Sequence, residues 1–257
     1  MSRNLSQFIG IEQSTVRKGG YTFPLPTFYY KSLAFGISAF ADRVALRRIL
    51  PSPRLDPLRL PRGRTMVILV AFEHLDTDIG SFNEFIVAAP VARPGIKGFS
   101  GLPFGRRHMS PSLYIVHRAV DDDRAAVLYR EVFGFPATRA TVNIEHLAGK
   151  IRCHVSIADE IAALMEVPEK EGARAMDVRA DCYSVRGDRL LRSGIIGKFQ
   201  GIKTCLGYKT RLEKGSGNFL GNDLEEIKMG GTIAGCYIPH VVFAAVNPTE
   251  SLPVGTV

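Results

Sequence analysis

The segment Thr65-Met66-Val67-Ile68-Leu69-Val70-Ala71-Phe72 constrains this chain more than any other. Its residues are mostly apolar and β-favouring, and the run is bounded on both sides, so it reads as a buried strand. A proline- and arginine-rich loop (57–64) leads into it. A polar turn with Asp76, Asp78 and Gly80 follows, and Phe82 to Pro90 then returns as the next strand of a meander. A chain built around such a run needs further strands to cover it.

Those strands can be read along the sequence. Phe28 to Lys31 and Leu33 to Phe40 form an extended aromatic run, and Ser112 to Arg118 is another strand. Arg139 to Ile144 and Lys150 to Ile157 alternate apolar and polar residues, with residues 145–149 joining them. Ala180 to Arg186, a Gly187-Asp188 turn, Leu190 to Gly194, Gly201 to Tyr208 and Ile233 to Phe243 complete the set.

Helical signals are few. Asp42 is placed to cap a helix over 43–50 that Pro51 stops, and Asp121-Asp122-Asp123 to cap one over 124–132. Residues 158–165 read as a helix or long turn, 166–175 as a solvated linker, and 214–222 as a loop flexible by composition. The glycine-rich, basic segment 91–110 reads as a loop that either covers a cavity mouth or has no such role. About ten β-like segments against two or three short helices imply an α+β, mostly antiparallel architecture.

A length of 257 residues, 46% of them hydrophobic, suits one domain spanning 1–257, with an N-terminal arm (1–27) and a C-terminal tail (246–257). The net charge of +8 is dispersed over small arginine groups, which favours a solvated surface or attraction of small acidic substrates over nucleic acid. No apolar run approaches the roughly 20 residues of a membrane helix, so no membrane partner is expected. Met1 to Leu5 lacks the apolar core of a secretory signal, and the expected location is cytoplasmic. The four cysteines contain no C-x-x-C pair and read as small buried hydrophobes; no metal is indicated. Nucleotide-binding loops are absent from the sequence, and no cofactor is expected.

The stretch Tyr129-Arg130-Glu131-Val132-Phe133-Gly134-Phe135-Pro136-Ala137-Thr138-Arg139 runs from a helix end through a glycine-proline turn into a strand. By residue type alone this is a helix-to-strand corner, able to aim the next side chains into a cavity. Arg130, Glu131, Gly134, Phe135 and Pro136 also match, without a gap, the Arg-Glu-x-x-Gly/Ala-Phe/Tyr-Pro-Lys-Lys signature of the acetoacetate decarboxylase family, which this chain resembles over roughly residues 25–245. The early Asp42, the helix after it and Pro51-Ser52-Pro53 resemble the family too, as does the Asn83-Glu84 pair that begins the return strand.

The resemblance implies a large curved sheet closing into a cone-like β-barrel around an apolar cavity, and a homo-oligomer. It also implies a β-keto acid substrate, held in the family as a Schiff base on the first signature lysine. Here Ala137 and Thr138 occupy the two lysine positions, and a second pocket acid falls on Leu69. Glu84 is the expected acid/base, with a pKa raised by its apolar surroundings. Arg139 or Arg130 would hold a substrate carboxylate, although Arg130 and Glu131 suit surface pairs better. His117, Tyr30 and Tyr114 are secondary donors, and Phe135, Ala137 and Thr138 line the substrate side of the turn. Lys31, Lys150 or Lys203 could replace the missing amine. Three readings stay open: a lyase acting on a small acidic or carbonyl substrate (decarboxylation, dehydration or aldol-type cyclisation) without a Schiff base, a decarboxylase with a lysine from elsewhere, and a non-catalytic binding protein.

Overall fold

The computed structural model describes residue 8 and residues 10–92, 108–216 and 218–254. Most of the loop expected over 91–110 lies outside the described residues. The chain begins with a hairpin of β1 (Ser14–Lys18) and β2 (Tyr21–Leu25), then enters β3 (Thr27–Asp42) and α1 (Arg43–Ile49). The Asp42 carboxylate accepts from the Ala45 amide at 2.7 Å, so the expected cap is in place. Next come β4 (Asp56–Pro57), β5 (Arg64–Thr77), β6 (Phe82–Ala92), β7 (His108–Met109), β8 (Ser112–Val120) and α2 (Asp123–Val127). A five-residue π turn, Leu128–Val132, extends α2, and β9 (Ala137–Arg139) follows.

The second half supplies β10 (Thr141–Leu147), β11 (Lys150–Ile157), β12 (Glu160–Pro168), β13 (Arg174–Arg186) and β14 (Arg189–Leu206). It ends with β15 (Arg211–Lys214), α3 (Phe219–Glu226) and β16 (Thr232–Pro253). Strands pair in the order β6-β5-β3-β16-β14-β13-β8, and β8 pairs back onto β6, closing a seven-stranded barrel. Separately, β10-β11-β12-β15 form a four-stranded sheet laid over one side of it.

Two cores explain the sequence pattern. On β3, β5 and β6 the odd-numbered residues Phe35, Ile37, Leu69, Ala71, Phe85 and Val87 face outward, into a core shared with Ile151, Cys153 and Val155 of the small sheet. The even-numbered Ala34, Val70, Phe72 and Ile86 belong to the interior cluster. Both faces of β5 are therefore covered, which is why 65–72 shows no alternation.

Three expectations need correction. Residues 160–168 form a strand, because Ala158 and Asp159 take positive φ (51° and 65°) and make a tight two-residue hairpin without glycine or asparagine. The loop expected over 214–222 contains the start of α3, capped where Asn218 accepts from the Gly221 amide. Leu220, Leu224 and Ile227 recur at helical spacing and bury in the outer core. Residues 246–253 continue β16 rather than forming a tail, pairing with β14 as far as Pro253 opposite Arg189.

Candidate active site

The site forms where the helix-to-strand turn closes one end of the barrel. In the π turn the Phe133 amide donates to the Leu128 carbonyl and the Phe135 amide to the Tyr129 carbonyl. This wide turn directs Tyr129, Phe133 and Phe135 together into the interior core. Gly134 follows at φ +70°, where an added Cβ would meet Leu191 Cδ1 at 3.1 Å. Two β13 side chains hold the turn: Ser184 Oγ donates to the Phe133 carbonyl at 2.7 Å, and Arg186 to the Glu131 and Val132 carbonyls.

Inside this end lies a cavity of about 40 Å³, whose lining includes Tyr29, Glu84, Arg118, Tyr129, Phe135 and Ser193. Glu84 is 2% exposed. Its carboxylate sits between His74, with Nε2 3.2 Å from Oε1, and Arg118, with Nη1 3.5 Å from Oε2. The Arg118 guanidinium lies 3.8 Å from the centre of the Tyr129 ring and 4.8 Å from that of Phe135, so two aromatic faces hold it in place. Tyr29 and Tyr129 share a hydroxyl–hydroxyl hydrogen bond of 2.8 Å. Ser32 Oγ bonds His74 Nδ1 at 2.7 Å and fixes the ring. Three buried atoms on the cavity wall make no hydrogen bond among the described residues: Glu84 Oε2, whose contact with Arg118 is an ion pair, Arg118 Nε and Ser193 Oγ. Buried polar atoms of this kind are costly unless something binds them.

The electrostatics correct one expectation. Burial pushes the Glu84 carboxyl up, but the Arg118 guanidinium and the adjoining His74 ring outweigh it, and its pKa lies below the ordinary carboxylate value. Glu84 is thus an ionised base rather than an acid at neutral pH. The phenols move the other way: burial and the Glu84 charge push Tyr29 and Tyr129 above their ordinary value, keeping both protonated. The pocket combines one carboxylate with a guanidinium and a phenol pair that donate.

Of the residues singled out from sequence, Glu84 and Phe135 line the cavity. Ala137 is buried in the interior cluster and pairs in register with Arg118. The others lie elsewhere. His117 faces the outer core and bonds Asp223 of α3 at 2.5 Å; burial lowers its pKa against the pull of that carboxylate. Tyr114 packs on the same outer core, where burial pushes its phenol up to about 12. Thr138 pairs with Ala119, an outer-core residue. Arg139 is a surface side chain paired with Asp123 at 3.2 Å. The Tyr30 hydroxyl donates to Asp78 at 2.7 Å, outside the barrel. Lys31 and Lys203 are exposed, Lys150 pairs with Glu166, and Arg130 is exposed. Leu69 belongs to the outer core. Sequence reasoning missed Tyr29, His74, Arg118, Tyr129 and Ser193. Arg118 had a readable signal, since on a strand its side chain points opposite to that of His117.

The family model for acetoacetate decarboxylase matches residues 13–186. This chain belongs to the acetoacetate decarboxylase family. Solved family structures agree in fold. The acetoacetate decarboxylase of Legionella pneumophila superposes with a TM-score of 0.61 at 14% identity, covering 88% of this chain and 87% of that one. The enduracididine biosynthesis enzyme MppR, complexed with pyruvate, gives 0.60 at 15% identity, with 89% and 90% covered. An acetoacetate decarboxylase-like enzyme from Sphingomonas wittichii RW1 gives 0.57 at 9% identity, with 88% and 92% covered. These neighbours are enzymes. No curated protein matches the chain at a significant level.

Proposed function

We propose that this family member acts on a small oxo acid through an enolate, without a Schiff base. The observation that carries this reading is the buried Glu84–Arg118 pair, facing a cavity whose lining, among the described residues, includes no lysine. Ala137, which the sequence match sets against the first signature lysine, pairs in register with Arg118. A guanidinium stays protonated and is no nucleophile, but it is a fixed cation in a water-poor site. In place of an imine, Arg118 and the Tyr129 phenol would stabilise negative charge developing on the substrate's carbonyl oxygen. For a 3-oxo acid, the bond between C2 and the carboxyl carbon breaks and carbon dioxide leaves. The electron pair passes to the ketone oxygen, and a solvent proton then returns to C2. With other oxo acids the same groups support proton removal next to the carbonyl, with Glu84 as the base. The pyruvate bound to MppR is consistent with an oxo acid as ligand for this scaffold.

The test follows carbon dioxide and substrate loss with 3-oxo and 2-oxo acids, alongside intact mass after borohydride. Turnover without a reduced adduct is expected, abolished in Arg118→Gln and in Glu84→Gln. A reduced lysine adduct in the wild type would overturn the imine-free mechanism. Binding without any turnover would make the protein a receptor for such acids.

A further inference from the structure

The site cavity, at about 40 Å³, has room for about one group the size of a water molecule, such as the carbonyl of an organic acid. The interior face does not stop there. Further along β5, β14 and β16 from Phe72, Ile195 and Phe243, the residues Val70, Phe199 and Ile238 line a second, more open cavity of about 240 Å³. Its lining is apolar apart from a few small polar groups, and Arg174 is its one charged residue. One continuous apolar cluster joins its walls, including Ile202, Met176 and Phe199, to Tyr129 and Phe135 of the site.

Phe72 stands at the boundary. Its ring stacks on His74 at 5.3 Å and leans on Phe243 at 6.0 Å, yet it remains only partly buried. Phe72 lines the polar cavity and Val70, two residues back on the same strand face, lines the lumen, so this ring lies between the two spaces, and partly exposed side chains change rotamer readily.

Building on the oxo-acid reading above, we propose that the barrel lumen beyond Phe72 is a subsite for a hydrocarbon tail. The substrate is then a 3-oxo acid whose carbonyl end sits at Arg118 and Tyr129, with its chain running down the lumen. At about 30 Å³ for each group the size of a water molecule, the lumen takes a tail of about eight carbons. Arg174 is the one charged residue described on the lumen wall, whereas Glu84, Arg118, Tyr129 and Ser193 bring their polar groups together at the site end, which fixes the orientation.

The chain has no tryptophan, so Phe199→Trp places a single tryptophan, excited selectively over the tyrosines, in the lumen wall. The probes are methyl ketones from 2-butanone to 2-undecanone, the stable products that 3-oxo acids leave on decarboxylation. Affinity should rise about three- to fourfold per methylene until the lumen is full. The tryptophan emission should shift to the blue with long ketones and stay put with 2-butanone. Ser38→Leu and Ile68→Phe narrow the lumen; each should erase the gain for long ketones and leave 2-butanone binding intact by calorimetry. Two fillers are used so that misfolding of one, read by circular dichroism, still leaves a test.

Affinity independent of chain length, or unaffected by both fillers, would overturn the lumen subsite. Turnover of 3-oxobutanoate that persists alongside that result would leave the catalytic reading standing alone. Length-dependent binding without turnover of any 3-oxo acid would sink the catalytic reading and keep the lumen as a tail site.

Discussion

Arg118→Met replaces a buried cation by an apolar chain of similar length and leaves the Glu84 carboxylate inside the barrel with the His74 ring and the Tyr129 phenol but no guanidinium. Arg118 is 5% exposed and Glu84 2% exposed, so water can screen little of this loss. Removing one partner of a buried ion pair costs about 3–5 kcal/mol, and the cation–π contacts with Tyr129 and Phe135 add about 1–2 kcal/mol. For a chain of this size that lowers Tm by roughly 10 °C or more.

The pH dependence separates this account from simple loss of packing. In the wild type the folded-state pKa of Glu84 is depressed, so its stabilisation is present above the unfolded value of about 4.3 and is lost as pH falls through the folded value. Without Arg118 the burial effect dominates, and the folded pKa rises above the unfolded one. The ionised carboxylate then destabilises the variant increasingly as pH climbs from about 4 toward 7. Urea unfolding at pH 5 and pH 7.5 should show a larger penalty at the higher pH, and Glu84→Gln in the same background should recover about 2 kcal/mol or more at pH 7.5. An equal penalty at both values, with no recovery, would refute the coupling of these two charges.

Other parts of the structure give further predictions. Gly134→Ala forces a Cβ into a left-handed residue 3.3 Å from Ser184 Oγ, and should cost about 1–3 kcal/mol in chemical denaturation while loosening the turn that carries Tyr129; an effect below 0.5 kcal/mol would mean that the turn relaxes freely. His146 bridges Glu169 at 2.7 Å and Glu73 at 3.3 Å. Burial lowers its pKa, but the two carboxylates together raise it above the ordinary histidine value. Its contribution is therefore full below about pH 6.5 and fades as pH rises through the folded value. A proton NMR titration in which His146 titrates below the ordinary value would contradict this. Ala137→Lys introduces an amine beside Arg118, where burial and the neighbouring cation both lower its pKa. That variant should give a borohydride-trapped adduct with 3-oxobutanoate that the wild type lacks; no adduct would mean that the amine cannot reach the cavity.

Strand content was legible from local chemistry alone. The apolar run 65–72, the alternation over 150–157 and the aspartate cap of α1 each depend on neighbours in sequence, and the structure has them where they were expected. The Arg130-to-Pro136 signature likewise placed the turn and, with Asn83-Glu84, one buried carboxylate. Where a signal was weak, the reading failed: a hairpin made by Ala158 and Asp159 at positive φ carries no turn residue to announce it.

Only the tertiary structure decided which face of each strand looks into the barrel. Strands β5 and β6 are apolar on both sides, so nothing in their pattern distinguishes Val70 from Leu69 or Ile86 from Val87, and on β8 the same ambiguity favoured His117 over Arg118. The choice is made by closure of β8 onto β6 and by the small sheet covering the outer face, both formed by residues far apart in the chain. Closure also brought Tyr29, His74, Arg118, Tyr129 and Ser193 around one carboxylate. Through them it set the sign of the Glu84 shift, because burial alone raises a carboxyl pKa, and the buried guanidinium and imidazole beside it, with the Tyr129 phenol, bring it down.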